Sequence, residues 1–149
     1  MTARPTTAKR ISATALAASL RSSLTLFMRR LRATRPVGEL SPGQFSVLGS
    51  LDLAGAMTPR ELADSERVRP PTITKIVGRL EQQGLVQRTP HPTDGRQQIL
   101  SPTDQGRALV KENRRAREAW LAKRLAELTP DERATLKAAA ELLERIARA

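Results

Sequence analysis

The sequence predicts a mainly α-helical chain with a little β-structure (α+β), and three observations carry that assignment. Apolar residues recur at helical spacing in several segments. A helix-start signal of the form Ser/Thr-Pro-x-Gln/Glu occurs at three places. Two short strand-like stretches flank a loop rich in Pro, Asp and Gly.

The elements follow in order. Residues 1–11 read as a basic, flexible tail. Leu16, Leu20, Leu24, Phe27 and Leu31 then recur at steps of four and three, the stripe of an amphipathic helix that Pro36 and Gly38 end. Ser41-Pro42-Gly43-Gln44 reads as a capping box, with a hydroxyl at the N-cap, Pro at the first helical position and Gln three residues on. The helix it opens carries Phe45, Leu48 and Leu51 and ends near Gly55. Thr58-Pro59-Arg60-Glu61 repeats the signal for a short helix with Leu62 and Ala63, interrupted by Val68-Arg69-Pro70-Pro71. Pro71 begins a further helix with Ile73, Ile76, Val77 and Leu80 on one face and Gly84 as its stop. Residues 85–88 and 97–100 have strand character, and residues 89–96 between them form a hairpin loop. Thr103 caps a long helix with Leu109, Val110, Trp120, Leu121, Leu125 and Leu128. Thr129-Pro130-Asp131-Glu132 starts the last helix, with Leu136, Leu142, Leu143 and Ile146. These terminal helices are of the kind that pack as a bundle.

Composition narrows the function. The chain has 149 residues, a net charge of +11, no Cys and one His. The missing thiols exclude disulfides, thiolate catalysis and Cys-ligated zinc, and a single His makes a catalytic triad improbable. No apolar run is long enough to span a bilayer, and Met1 to Arg10 lack a secretory apolar region, so a soluble, cytoplasmic protein without cofactors is expected. The basic surplus sits at the N-terminus, where residues 1–36 hold eight basic residues and no acid. Such a segment suits DNA phosphate, an anionic membrane or a solvated helix face.

The order helix, short helix, turn, helix, hairpin across residues 41–102 is that of a winged helix-turn-helix, a DNA reader. Its recognition helix fits the major groove. Thr72, Lys75, Gly78, Arg79 and Gln82 lie opposite the apolar face of that helix, with Thr74 near its start. Thr72, Thr74 and Lys75 are expected to meet bases or nearby phosphates, and Arg69 and Arg79 the backbone. Arg96 at the hairpin tip is expected to enter the minor groove, held by the Asp94 carboxylate. Pro71, Arg88 and His91 complete the candidate surface. His91, beside two prolines, is taken as a loop residue touching phosphate or water rather than a pH switch or metal ligand. Trp120 is assigned to core or dimer interface, Arg114, Arg115 and Arg117 to a solvated face, and Asp64 and Glu66 to local pairing with Arg67 and Arg69.

These residues resemble the MarR family of bacterial transcriptional regulators. The wing pattern Asp-x-Arg, five residues, Leu-Thr-x-x-Gly is met by Asp94-Gly95-Arg96, residues 97–101 and Pro102-Thr103-Asp104-Gln105-Gly106, with Pro in place of Leu. That Pro102 is expected to shorten the strand before the Thr103 cap. Residues 79–88 resemble the family's recognition-helix exit, and Glu66 to Thr72 with the Pro-His-Pro wing resemble an actinobacterial branch. The resemblance implies a homodimer built from residues 12–36 and 103–149, binding a pseudo-palindromic operator as a repressor. It also implies, in many members, release by a small molecule bound between the dimer helices and the reader. The apolar stripes of the flanking helices, with no other core to bury them, point to the dimer independently. Lacking Cys, the chain is not a thiol-based peroxide sensor, and one His argues against zinc response. The rival reading is a nucleoid-associated architectural DNA-binding protein without operator preference. A peripheral membrane protein using residues 12–34 leaves the wing pattern unexplained, and an enzyme lacks any nucleophile–base set.

Overall fold

The computed structural model describes residues 11–34 and 40–149. The expected tail before Ile11 and the Pro36 and Gly38 stop lie outside the described residues. The chain forms two compact units, one ending at Thr34 and the other running to Ala149.

The first unit contains helix α1 (Ala13–Ala33), whose N-cap Ser12 accepts a hydrogen bond from the Ala15 amide at 3.1 Å. Of its expected apolar stripe, Leu16, Leu24 and Phe27 are exposed and Leu20 and Leu31 half-buried; Leu26 and Met28 beside it are also exposed, and no α1 residue is buried.

The second unit runs α2 (Pro42–Ala54), α3 (Pro59–Glu66), α4 (Pro70–Gln82), β1 (Val86–Pro90), β2 (Gln98–Pro102), α5 (Asp104–Ala126) and α6 (Pro130–Arg148). All three Ser/Thr-Pro-x-Gln/Glu signals form complete capping boxes, at Ser41 and Gln44, Thr58 and Glu61, and Thr129 and Glu132. Each satisfies two amides that the helix start would otherwise leave unbonded. The Thr58 amide, then its hydroxyl, hold the Glu61 carboxyl below the ordinary carboxylate range; Thr129 does the same for Glu132.

One core joins the reader: Phe45, Val47, Leu48 and Leu51 of α2, Leu62 and Ala63 of α3, Ile73, Val77 and Leu80 of α4, and Leu85, Val86 and Leu100 around the hairpin. At about 1.5–3 kcal/mol for each large side chain buried, this cluster outweighs any single surface contact in setting where α4 lies. The hairpin is antiparallel, pairing Val86 with Pro102 and Pro90 with Gln98. Met57 adds a bridge on the other side of Leu100, with amide–carbonyl bonds of 3.0 and 2.8 Å.

Four expectations need correction. Pro102 does not shorten β2: it ends that strand, fully buried. The chain's next amide, from Thr103, donates to Leu85 O at 3.0 Å, so the ladder continues past a residue that cannot donate. The loop begins later than expected, because Thr89 and Pro90 belong to β1. Helix α4 starts at Pro70, with Arg69 as N-cap; both prolines sit where a helix has no use for an amide hydrogen. The arginines of α5 are not one solvated face: Arg114 reaches Asp52 of α2 at 3.8 Å, and Arg117 is half-buried with its Nε shut off from solvent. Trp120, also half-buried, lies under the Arg124 guanidinium, 5.9 Å from the ring centre.

The family-like Thr103-x-x-Gly106 pattern acquires a physical meaning. Thr103 Oγ1 donates to Gly84 O at 2.6 Å and accepts from the Gly106 amide at 3.1 Å, tying the exit of α4 to the start of α5. A Cβ on Gly106 would lie 2.2 Å from Leu85 O and 3.2 Å from Leu48 Cδ1. Because the first neighbour is backbone, Gly106→Ala is expected to cost about 1–3 kcal/mol or more, read as a lowered midpoint in urea unfolding.

Candidate nucleic-acid interface

The site begins at the turn between α3 and α4. Arg67, the first residue after α3, adopts φ 53 and ψ 40, the left-handed conformation usually left to Gly. It lets the chain reverse between α3 and the Arg69 cap, and its amide bonds back to Asp64 O at 3.2 Å. Glu66 does not pair with the neighbouring arginines. Its two carboxylate oxygens accept from Ser46 Oγ at 2.7 Å and Ser50 Oγ at 2.5 Å, fastening the end of α3 to α2. Among the described ion pairs, none involves Asp64, Arg67 or Arg69.

Helix α4 then shows two faces. Ile73, Val77 and Leu80 are buried and Ile76 is half-buried against the core. Pro71, Thr72, Thr74, Lys75, Arg79 and Gln82 are exposed, as the helical period requires. Nothing lies within 4 Å of a Cβ built on Gly78, so the polar face stays open there. The Thr74 hydroxyl donates to Pro70 O at 3.0 Å and the residue is exposed.

The hairpin places the remaining candidates. Arg88 on β1 is the only basic candidate with an ion pair among the described residues: its Nε reaches Glu81 of α4 at 2.7 Å, with both side chains about a third exposed. Such a pair is worth at most about 1 kcal/mol, so it adjusts the hairpin against α4 rather than creating the site. Arg88 is therefore a tie between α4 and the hairpin, a contact its sequence position did not signal.

At the tip, Asp94 does hold Arg96, but by its backbone. Asp94 Oδ1 accepts from the Arg96 amide at 3.1 Å, and Oδ2 from Gln97 Nε2 at 3.3 Å, while no ion pair to the guanidinium is present among the described contacts. The guanidinium is left exposed. The His91 amide donates to Gln97 O at 3.0 Å, and the Gln97 amide to Asp94 O at 2.9 Å, closing the loop. Gly95 has no positive φ, so the backbone at the Asp-Gly step does not require glycine.

The arrangement offers cationic and hydrogen-bonding groups on two protrusions, a helix face and a hairpin tip, and nothing that resembles a reaction centre. Among the described residues no group of His, Asp and Glu could hold a metal, and no helix is long and apolar enough to cross a membrane.

Comparison with known proteins then decides the family. The MarR family profile matches residues 40–97. An HTH-type transcriptional regulator of Mycobacterium bovis is 46% identical over 128 residues, covering 86% of this chain and 90% of that protein. The chain belongs to the MarR family. This MarR-family chain is a DNA-binding transcriptional regulator of winged-helix fold and not an enzyme. A solved structure from Pseudomonas aeruginosa is 39% identical, covers 90% of this chain and 95% of its own, and superposes with a TM-score of 0.80. The transcriptional repressor MdtR of Bacillus subtilis is 37% identical over 93 residues, 62% of this MarR-family chain and 60% of MdtR.

The left-handed Arg67 gives a direct check of the turn geometry. Glycine meets no Cβ penalty at such a position, whereas Arg carries roughly 1 kcal/mol of it. Arg67→Gly is expected to raise stability by up to about 1 kcal/mol in urea unfolding, and Arg67→Val to lower it.

Proposed function

We propose that this regulator is a cytoplasmic homodimeric repressor that recognises a pseudo-palindromic operator, each protomer seating α4 in the major groove and the wing tip in the adjacent minor groove. The observation that carries the reading is the pairing of one exposed polar face on α4 with an exposed, backbone-anchored Arg96 on the hairpin. Thr72, Thr74 and Lys75 meet base edges or nearby phosphates, Arg69, Arg79, Pro71 and His91 lie along the backbone, and Arg96 enters the narrow, negative groove.

Exposed apolar surface supports the dimer. Helix α6 has no buried residue and exposes Leu136, Leu142 and Ile146, and α1, also with no buried residue, exposes Leu16, Leu24 and Leu26. Amphipathic helices of 21 and 19 residues without one fully buried side chain among the described residues call for a partner. Two-fold pairing would set the two recognition helices about 34–36 Å apart, one turn of duplex. Repression is favoured by the likeness to MdtR, a repressor by name. A small molecule lodged between the dimer helices and the reader would change that spacing and release the DNA.

Selection of bound sequences from random DNA tests the whole reading. A two-fold symmetric motif, preferred over random duplex by about 10³ or more, is the expected result. Equal competition by random duplex would instead favour an architectural protein. On the selected duplex, Arg96→Ala is expected to cost about 1–3 kcal/mol at fixed salt, read as a raised Kd. Lys75→Ala is expected to lower the slope of log K against log salt by about 1, the signature of one lost phosphate contact.

A further inference from the structure

The hydrogen bonding of His91 points beyond a phosphate contact. Its Nδ1 lies 3.2 Å from the Thr93 amide, 3.3 Å from the Asp94 amide and 3.2 Å from Thr93 Oγ1. Backbone amides only donate, so Nδ1 faces them as an acceptor, and the ring hydrogen resides on Nε2. The imidazole thus does for the first half of the wing loop what the Asp94 carboxylate does for the second. His91 holds the amides of Thr93 and Asp94, and Asp94 holds the amide of Arg96.

We infer that neutral His91 is a positioning residue for DNA binding, capping the wing turn through Nδ1, so that its protonation loosens the loop that presents Arg96 and weakens binding. The inference rests on the reading that Arg96 enters the minor groove. The sign is the informative part. An imidazolium that merely touched phosphate would tighten binding as pH falls, because it adds a positive charge to the interface. A capping imidazole does the reverse: protonation places a hydrogen on Nδ1, and a donor then faces two donors.

The charged surroundings leave that sign intact. From α3, Glu61 is the carboxylate that interacts electrostatically with His91, and Thr58 holds it below the ordinary carboxylate range, so it keeps its charge in mildly acidic solution. Within the loop Asp94 is engaged with the Arg96 amide and Gln97 Nε2. From β1, Arg88 is paired with Glu81, and the strand ends that close the loop, Pro90 and Gln98, are uncharged. His91 is the only histidine in the chain, which makes the pH dependence in this range simple to assign.

The test measures Kd for the duplex most enriched in the selection, at fixed salt, between about pH 8 and about pH 5.5, alongside NMR of the free protein. Wild type is expected to bind about fivefold or more weakly at the acidic end, the lower range for losing one groove contact. His91→Asn keeps an acceptor near the Nδ1 position and is expected to bind with no pH dependence, whatever its affinity at the alkaline end. His91→Ala is expected to be weaker by a similar factor at every pH. In the free protein, the imidazole nitrogen resonances should show Nδ1 unprotonated at the alkaline end. The heteronuclear NOE of residues 93–97 should fall on acidification and in His91→Ala. Tighter wild-type binding at low pH, or a wing equally ordered in His91→Ala, overturns the inference. A wing loosened in His91→Ala with unchanged DNA affinity would confirm the cap and overturn the minor-groove placement of Arg96.

Discussion

The structure depends on α4 being able to bury only one of its faces. Ile73, Val77 and Leu80 are drawn into a core shared with α2, α3 and the hairpin. The 3.6-residue period then leaves Thr72, Lys75 and Arg79 outside, whatever their own interactions. No surface pair competes with this. The Glu81–Arg88 contact, about a third exposed at both ends, biases the hairpin by a fraction of what one buried leucine contributes. The reader is therefore positioned by burial and only trimmed by charge.

The wing inherits its position from the same core through a single threonine. Thr103 joins Gly84, Leu85 and Gly106 by three hydrogen bonds, so the turn after α4, the end of β2 and the first turn of α5 form one rigid junction. Strands β1 and β2 project from it, with Val86 and Leu100 inside and the tip in solvent. The tip itself has no core. Its order comes from two side-chain caps, His91 and Asp94, which act on consecutive stretches of backbone. A rigid base with a locally capped tip presents Arg96 in a fixed place without a core of its own.

Much of this was legible in the sequence. The start signals at Ser41, Thr58 and Thr129 marked three helices because hydroxyl, proline and carboxyl or amide at fixed spacing answer one physical need, the unbonded amides of a helix start. The two faces of α4 followed from its periodicity, and the wing from its turn residues. What stayed hidden depends on contacts between distant segments. Nothing in the order of residues ties Glu66 to Ser46 and Ser50, or Asp52 to Arg114, and adjacency made pairing of Glu66 with its arginine neighbours look natural. A left-handed Arg67 gave no warning, since glycine is the usual mark of that conformation. Pro102 misled because its missing amide mattered only if the ladder needed it there, and Thr103 supplies the next donor. Arg96 lies at the hairpin tip where the turn residues put it, while the atom that Asp94 holds is its amide and not its guanidinium.

Chemical protection of bases on a bound operator measures the central claim most directly, because it reports the two grooves separately. Dimethyl sulfate modifies guanine N7 in the major groove and adenine N3 in the minor groove. The account requires two blocks of guanine N7 protection about 34–36 Å apart, related by a dyad, each flanked by protected adenine N3 that becomes reactive in Arg96→Ala. Protection confined to the phosphate backbone, or an adenine pattern indifferent to Arg96, would contradict it.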